Sequence, residues 1–307
     1  MSGDPDMVTR SPVAVVPTPG DYLGPYVVEG TLGAGAMGVV YRAVDPDRGD
    51  RVAVKLLHRW HTNPEGGEDD WLLNEAGALA RLSHPNVVSV LGVGTFDDRP
   101  FLAMELVEGV TLAKWLSQPR NWWEILPVMR DAARGLQAVH DAGLVHGDFK
   151  PENLMVGFDG RARVMDFGLA RSALAPDTKI GRVAVGRDGV SRHRPIGTPA
   201  YMAPEQLAGR RAEARSDQFA CCVTLYEALY GERPFTGSTP PELAYHVMRG
   251  ERRPLPPNKG VPPWLQQIVT RGLALVGAAR WPSMAALADA LERGLAENDP
   301  RAQASTR

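Results

Sequence analysis

The hydrophobic pattern of this 307-residue chain changes character near residue 108. Before that point, short segments rich in β-branched residues predict strands, namely YVVEGTLG, GVVYRAV, RVAVKLL, NVVSVLGVG and PFLAMELV, with one helical stretch, EDDWLLNEAGALARL, between the third and the fourth. After it, helical periodicity dominates from TLAKWLSQ to SMAALADALERGLAE. The pattern therefore predicts an α+β chain in two parts, a small sheet with one main helix and a larger, mainly helical part.

The pattern also predicts the boundaries of these parts. Residues 1–25, rich in proline, serine, threonine and glycine, are expected to form a disordered tail. The sheet part is expected over 26–107 and the helical part over 108–297, followed by a polar tail over 298–307. Residues 166–205 have little periodicity, and so long a loop in a compact domain is usually functional or disordered.

The charge of the chain predicts no general attraction to polyanions. Its 34 Lys and Arg against 36 Asp and Glu leave a formal charge of −2, so neither a nucleic-acid partner nor an anionic membrane surface is expected. Cys221 and Cys222, adjacent in the apolar run FACCVTLYEALY, are expected to be buried thiols in a helix, which suits a reducing cytoplasm. That run is too short and too polar for a membrane span, and the first residues lack the regions of a signal peptide, so we expect a cytoplasmic protein.

A glycine-rich stretch, LGAGAMGVVY, places Gly33, Gly35 and Gly38 between two predicted strands. A dinucleotide-binding fold would need a helix directly after the glycines. Here GVVYRAV is β-branched and is followed by a turn, DPDRGD, and another strand, which predicts a hairpin. Because glycine has no Cβ, the backbone N–H groups of such a hairpin can come close to phosphate oxygens.

The next predicted strand, RVAVKLL, carries a lysine that a helix residue could pair with. Alternation places Ala53 and Lys55 on the same face of the strand. Alone, Lys55 would usually be a solvated edge charge, and Glu75 a solvated helix residue. However, Glu75 lies among the inward-facing apolar positions of its helix, which favours a buried or bridged carboxylate that could pair with Lys55.

The stretch LVHGDFKPENLMV brings together an aspartate, a lysine and an asparagine in a loop after a long amphipathic helix. Asp148 could accept a hydroxyl proton, Lys150 could neutralise phosphate charge, and Asn153 could offer a carbonyl oxygen to Mg²⁺. A second carboxylate, Asp166, ends a predicted strand in VMDFGLA, where it could ligate a metal or simply begin a β-turn.

Several motifs occur in the order and approximate spacing of the eukaryotic-like, or Hanks-type, protein kinases: LGAGAMGVV, VAVK, HGDFKPEN, DFG and GTPAYMAPE. Over about residues 26–297, the sequence resembles a bacterial serine/threonine protein kinase. The resemblance implies the bilobal protein-kinase fold, with a small antiparallel-sheet N-lobe and a larger helical C-lobe. It also implies a cytosolic signalling enzyme that uses ATP and Mg²⁺ to phosphorylate Ser or Thr hydroxyls of protein substrates.

The resemblance implies roles for the residues expected around the phosphates. Lys55, paired with Glu75, would hold the α- and β-phosphates of ATP. Asp148 would accept the proton of the substrate hydroxyl, and Lys150 would stabilise the transferring γ-phosphoryl group. The hairpin glycines would cover the phosphates, and two oxygen-bearing residues would ligate Mg²⁺: Asn153 and Asp166.

Further matches imply adenine contacts and structural contacts. The gatekeeper, the hinge and the residues that sandwich the adenine ring would be Met104, Glu105, Val107, Val40, Ala53 and Met155. Glu205 and Arg280 would form a buried ion pair, and Asp217 would brace the loop of Asp148 through backbone N–H groups. Thr198, together with the lysine two places after Asp148, resembles serine/threonine rather than tyrosine kinases.

The sequence departs from the family pattern at three places. Gly147 replaces the arginine usual before the catalytic aspartate, Gly-Ala replaces an Asp-Pro pair before Arg280, and the segment 166–205 is longer than typical. In relatives the arginine pairs with a phosphate on this segment, which glycine cannot do. We therefore expect activity without phosphorylation at Thr178 or Ser191. The alternative is that an arginine of the segment itself binds such a phosphate: Arg187, Arg192 or Arg194.

Other functions are compatible with parts of this pattern. A pseudokinase or nucleotide-binding scaffold would normally lack a metal ligand, the base or the strand lysine, all of which are present here. A small-molecule phosphotransferase of the same fold would not need GTPAYMAPE, which resembles a platform for a peptide.

Many bacterial relatives continue into a membrane helix and a sensor, whereas a polar tail follows here, and we expect a cytosolic kinase alone. Autophosphorylation at Thr9, Ser11 or Thr18 is compatible with the sequence, although such residues beside proline are also ordinary linker composition.

Overall fold

The computed structural model of the chain describes residues 15–35, 38–58, 80–166, 199–256 and 260–298. The chain divides into two compact units. Unit 1 comprises the described residues of Met1–Gly66 and Val90–Leu106, and unit 2 those of Gly67–Ser89 and Val107–Arg307. The second point of division lies next to residue 108, where the sequence pattern changes from strands to helices.

Unit 1 is built on one antiparallel sheet. Its described strands are β1 (Tyr22–Leu23), β2 (Tyr26–Gly35), β3 (Gly38–Val44), β4 (Arg51–Leu57), β5 (Val90–Phe96) and β6 (Arg99–Glu105). Their order in the sheet is β1-β2-β3-β4-β6-β5, and every neighbouring pair is antiparallel. The antiparallel sheet expected for the smaller lobe is confirmed.

The first strand lies before Tyr26, inside the segment that the sequence assigns to a disordered tail. Tyr22 pairs with Val27, and Leu23 pairs with Tyr26. Leu23 is fully buried in the core of the unit. A strand of two residues is too short to show an alternating pattern, which is why composition alone places the end of the tail too late.

The alternation of β4 decides which of its side chains enter the core. Val52, Val54 and Leu56 belong to the buried apolar cluster of the unit. Ala53 and Lys55 lie on the other face of the strand and are also buried, at 7% and 8% exposure. Since burying one Val or Leu side chain stabilises a fold by about 1.5–3 kcal/mol, the apolar face fixes the register that orients Lys55.

Unit 2 is mainly helical. Its described α-helices are α1 (Leu112–Trp115), α2 (Trp122–Asp141), α3 (Pro204–Leu207), α4 (Ala214–Tyr230), α5 (Pro240–Arg249), α6 (Pro263–Gly272) and α7 (Met284–Asn298). A small antiparallel sheet accompanies them, in the order β7-β8-β9: β7 (Gly109–Thr111), β8 (Leu154–Gly157) and β9 (Ala162–Val164). This is the larger helical lobe that the sequence predicts.

Helix α2 leads directly into the loop that carries Asp148. It begins after Asn121, whose backbone N–H donates to Glu124 Oε2 at 2.9 Å, so the first turn of the helix is capped. One face of α2 buries a row of apolar residues that includes Leu126, Met129 and Leu136. The helix therefore gives the loop a rigid starting point.

Helix α4 is buried along most of its length. Phe219, Val223 and Leu225 lie in the core, as do Cys221 and Cys222, which are free thiols as predicted. α4 packs against α2, and this contact brings the first turn of α4 to the loop that follows α2. In the part of the chain that the structure describes, no helix is both long enough and apolar enough to cross a bilayer.

Candidate active site

A buried carboxylate fixes the loop between α2 and β8. Asp217, in the first turn of α4, is 1% exposed. Its Oδ2 accepts the backbone N–H of His146 at 2.8 Å, and its Oδ1 accepts that of Gly147 at 2.7 Å. His140 of α2 lies with Nε2 2.8 Å from the same Oδ2. Because these donors and the helix N-terminus stabilise the carboxylate, Asp217 holds the loop backbone in one path, as the resemblance implied.

Gly147 has a backbone conformation that explains its place between His146 and Asp148. Its φ is +74°, in the left-handed region, where a residue with a Cβ costs about 1–2 kcal/mol. Its carbonyl oxygen accepts a hydrogen bond from Gln206 Nε2 at 3.3 Å, so both its N–H and its C=O bond to other segments. Glycine here removes the guanidinium of the family's arginine and at the same time relieves the loop of backbone strain.

The loop brings three of the predicted site residues together. Lys150 Nζ lies 2.9 Å from Asp148 Oδ2, and the two side chains are 18% and 10% exposed. Asn153, which is 7% exposed, donates Nδ2–H to the backbone carbonyl of Asp148 at 2.8 Å. Pro151 begins the short 3₁₀ turn that ends at Asn153. A carboxylate, an ammonium group and an amide are thus gathered in one short segment.

Asp166 is tied to this loop through its neighbour Met165. The Met165 N–H donates to the Asn153 carbonyl at 3.0 Å, and the Met165 carbonyl lies 3.0 Å from His146 Nε2. Asp166 itself has a φ of +56°, which is uncommon for a residue other than glycine. Such strained positions gather at functional sites, where surrounding bonds hold them in place.

The oxygen atoms of Asn153 and Asp166 fit a divalent cation. Since the Asn153 amide nitrogen bonds to the Asp148 carbonyl, Oδ1 is the atom that this side chain offers to a cation. Carboxylate and amide oxygens are the ligands that Mg²⁺ prefers, and two of them are fewer than its octahedral shell requires. The donor set is therefore suited to a Mg²⁺ ion that other oxygens, such as phosphates and water, complete.

Unit 1 holds Lys55, the lysine predicted to contact phosphates, in a defined register. Lys55 pairs with Val40 on β3 and with Leu102 on β6. Ala53 pairs with Met104 on β6, two residues along the same face of β4. The buried surroundings of Lys55 exclude the solvated edge charge that a lone strand lysine would usually be.

The glycine-rich hairpin has the strand-turn-strand form that the sequence predicts, with Gly35 of β2 paired to Gly38 of β3. A Cβ at Gly38 would lie 2.2 Å from the Leu56 carbonyl oxygen, so the fold itself requires glycine there. At Gly33 and Gly35, by contrast, a Cβ would meet no atom of the described residues within 4 Å, and both glycines are exposed. Packing does not require glycine at these two positions, whereas access of a ligand to their backbone would.

The residues expected around adenine are divided between the two units. Unit 1 contains Val40, Ala53, Met104 and Glu105, the last two at the end of β6. Unit 2 contains Val107 and Met155, the latter on β8 opposite Thr111.

The ion pair between Glu205 and Arg280 is present and buried. Arg280 donates to both carboxylate oxygens of Glu205, at 2.8 and 2.9 Å, and Ser216 Oγ donates to Oε1 at 2.7 Å. Burial raises the pKa of Glu205, but the bonds from Arg280 and Ser216 outweigh it and hold that pKa below its ordinary value. The departure before Arg280 forms a short 3₁₀ turn, Gly277–Ala279, and leaves the pair intact.

Some predicted site residues lie outside the described residues. Most of the helix predicted over EDDWLLNEAGALARL lies outside the described residues, and so does Glu75 within it. The same holds for most of the segment 166–205, including Thr178, Ser191, Thr198 and the three arginines that could bind a phosphate.

Sequence reasoning missed two residues that hold the loop. His140 bonds to Asp217, and Gln206 bonds to the Gly147 carbonyl. Both contacts join segments that are far apart in the chain, and no local pattern marks either residue. The left-handed backbone of Gly147 could have been expected, because a lone glycine in a tight polar loop is the usual signal of positive φ.

Comparison with known proteins agrees with this geometry. A sheet unit with a lysine and a glycine hairpin, together with a helical unit that fixes an Asp-Lys-Asn loop, defines the class of the protein kinases. Residues 26–291 match the family described as the protein kinase domain. The chain therefore belongs to the protein kinase family, among its bacterial Hanks-type serine/threonine members.

Three curated relatives show this placement. Over 87% of its length the chain is 36% identical to the serine/threonine-protein kinase Pkn1 of Myxococcus xanthus and 34% identical to PknL of Mycobacterium tuberculosis. Over 88% it is 37% identical to the DNA damage-responsive kinase RqkA of Deinococcus radiodurans. The chain spans only 38%, 65% and 40% of these relatives, in that order.

Among solved structures, the chain is similar to the kinase domain of Mycobacterium tuberculosis PknI. The TM-score is 0.67 at 26% identity, and the match covers 91% of this chain and 99% of that domain. Membership of the family implies ATP as the phosphoryl donor and a divalent metal as cofactor.

Proposed function

We propose that this chain transfers the γ-phosphoryl group of ATP to Ser or Thr hydroxyls of protein substrates. The observation that carries the proposal is the loop in which Asp148 and Lys150 are in contact at 2.9 Å while Asp217 holds the backbone before them. Positioning and electrostatic stabilisation supply almost all of the catalysis in phosphoryl transfer, so a rigid loop with these groups is what the reaction requires.

Each residue of the loop has a separate task in this mechanism. The Asp148 carboxylate orients the acceptor hydroxyl and takes its proton, while the Lys150 ammonium stabilises negative charge on the transferring group. Asn153 Oδ1 and the Asp166 carboxylate would hold Mg²⁺, which neutralises phosphate charge when it is bound. On unit 1, Lys55 would hold the α- and β-phosphates, with Glu75 as its partner, and the backbone of Gly33, Gly35 and Gly38 would cover them.

The adenine would be held by the residues that the resemblance assigns to it. Met104 is the gatekeeper in this proposal, and Glu105 and Val107 offer backbone groups to the ring. Val40, Ala53 and Met155 supply apolar surface on the two sides of the adenine ring.

We also propose that the reaction takes place in the cytoplasm. The free, buried thiols of Cys221 and Cys222 support this location, because thiols are chemically stable in a reducing compartment.

Phosphoryl transfer with purified protein tests the proposal. The chain is incubated with labelled ATP, Mg²⁺ and a generic basic protein, and labelled residues are identified after hydrolysis. We expect labelled serine or threonine, and we expect Asp148→Asn to retain less than about a tenth of the turnover, a barrier rise above ~1.4 kcal/mol. Asp289→Asn, a matched change on the exposed side of α7, should leave turnover unchanged.

Two results would reject parts of the proposal. Nucleotide binding without any transfer by the wild-type chain would favour a pseudokinase scaffold, and transfer only to small molecules would favour a metabolite kinase. If Asp148→Asn keeps more than about a tenth of the wild-type turnover, Asp148 is not the catalytic base. Calorimetry with ADP should show nearly unchanged affinity for this variant, since Asp148 acts on the acceptor and not on the nucleotide.

A further inference from the structure

Unit 2 contains a cavity of about 330 Å³ that plays no part in the proposed mechanism. It lies between the end of α4, the segment after α5, and α6. We call it the tyrosine cavity, and the lining residues that matter here are Tyr226, Tyr230, Arg252, Arg253, Leu255 and Val269. Its volume is at the lower end of the range for small-molecule sites, about 300–1,000 Å³.

Two tyrosines that line this cavity have buried hydroxyls without a partner among the described residues. Tyr226 and Tyr230 are each 3% exposed, and their ring centroids are 4.5 Å apart. Neither hydroxyl oxygen has a hydrogen-bond partner among the described residues. Buried polar groups in folded proteins are nearly always bonded, because an unsatisfied donor loses its bonds to water without replacement. Two such hydroxyls at one cavity therefore indicate a missing partner.

Both hydroxyls are donors at neutral pH. Burial raises the pKa of Tyr230 to about 12, and burial with the Glu232 charge raises the pKa of Tyr226, against an opposing effect of Arg252 and Arg253. The phenols thus keep their protons. A protonated phenol donates to an acceptor, and an anion bound in the cavity would supply one to each hydroxyl.

The charge at the cavity is positive. Arg253 pairs with Glu232, whereas the Arg252 guanidinium has no ion pair with any described residue. No carboxylate side chain is among the described residues that line the cavity. Guanidinium and phenol donors are a recognition set for an oxyanion, and the nearby Glu232 carboxylate is already paired with Arg253.

We propose that the tyrosine cavity binds a small organic anion through its phosphate or carboxylate group. Tyr226 and Tyr230 donate to the anionic oxygens, and Arg252 supplies the charge. Leu255 and Val269 provide apolar surface for the organic part of the ligand. The volume of about 330 Å³ fits a metabolite-sized molecule.

Because both hydroxyl oxygens are buried, the proposal requires exposed side chains at the cavity to change rotamer before a ligand contacts them. Arg252 and Leu255 belong to the segment 251–256, which forms neither helix nor strand, and Leu255 is 45% exposed. Their side chains can move without breaking a helix or strand.

Titration calorimetry with three probes of one ring size tests the proposal: phenyl phosphate, benzoate and, as the neutral control, phenol. Saturating ADP and Mg²⁺ are present, so that binding of the probes at a nucleotide site does not contribute to the heat. The measured affinity does not depend on catalysis, so failure of the proposed kinase function would not affect it. We expect at least one anion to bind and phenol to bind at least tenfold more weakly. The relative affinities of phenyl phosphate and benzoate distinguish a phosphorylated from a carboxylated ligand.

Matched variants locate the binding. Tyr226→Phe/Tyr230→Phe and Arg252→Gln should each weaken the anion at least tenfold, whereas Tyr245→Phe, an exposed tyrosine on α5, should not. Without ligand, the double Phe variant should keep the wild-type Tm, because the removed hydroxyls have no partner to lose. A clear fall in Tm would show that water already satisfies them, and it would overturn the proposal. Absence of anion binding, or binding that the variants do not weaken, would overturn it as well.

Discussion

The buried pair of Glu205 and Arg280 allows a stability prediction to be worked from the structure. Arg280 is 1% exposed, and every guanidinium nitrogen donates. Besides the carboxylate of Glu205, its acceptors are backbone carbonyls: those of Ala274, Arg215 and Leu275. Arg280→Met would keep much of the side-chain volume and remove all of these bonds at once.

The expected loss is large because the remaining carboxylate stays buried. Breaking a buried ion pair by removing one partner costs about 3–5 kcal/mol, against a total stability of about 5–15 kcal/mol for a folded domain. Among the described residues, Ser216 is then the remaining side-chain donor to Glu205. The double variant Glu205→Gln/Arg280→Met should recover part of the loss, since it no longer buries an unpaired charge.

Urea unfolding followed by tryptophan fluorescence measures this effect, since the chain has 7 tryptophans. Arg293→Met, an exposed arginine on α7, is the matched control and should change the unfolding free energy by less than about 0.5 kcal/mol. An Arg280→Met variant within about 1 kcal/mol of the wild type would refute the reasoning. It would mean that the pair contributes no more than an exposed one.

Three further predictions concern the loop and the metal. Gly147→Ala should lower the unfolding free energy by about 1–2 kcal/mol, because alanine at φ +74° is strained; an unchanged urea midpoint would show that the loop adopts another conformation. The variant Thr178→Ala/Ser191→Ala, treated with phosphatase, should keep its turnover, since Gly147 cannot bind an activation-segment phosphate. A fall beyond about tenfold, or ~1.4 kcal/mol, would instead assign that task to an arginine of the segment. Calorimetry without nucleotide should detect no micromolar Mg²⁺ site, because Asn153 and Asp166 supply too few oxygens, and a micromolar site would contradict this donor set.

The sequence by itself determined the features that local patterns encode. Periods of two and 3.6 residues separate the strands of unit 1 from the helices of unit 2, because each period places apolar side chains on one face of its element. Glycines between two β-branched runs predict the hairpin of β2 and β3. The stretch that holds Asp148, Lys150 and Asn153 is continuous in the chain, so its chemistry could be read before its geometry was known.

Only the tertiary structure decided how that stretch is held. The bonds from Asp217 to the backbone of His146 and Gly147 span about 70 positions of sequence, and they exist because α4 packs on α2. The tyrosine cavity likewise depends on how α4, α6 and the segment after α5 pack together. Burial and long-range hydrogen bonds follow from the path of the whole chain. The donor and the acceptor of such a bond lie too far apart in the sequence for a local pattern to include both.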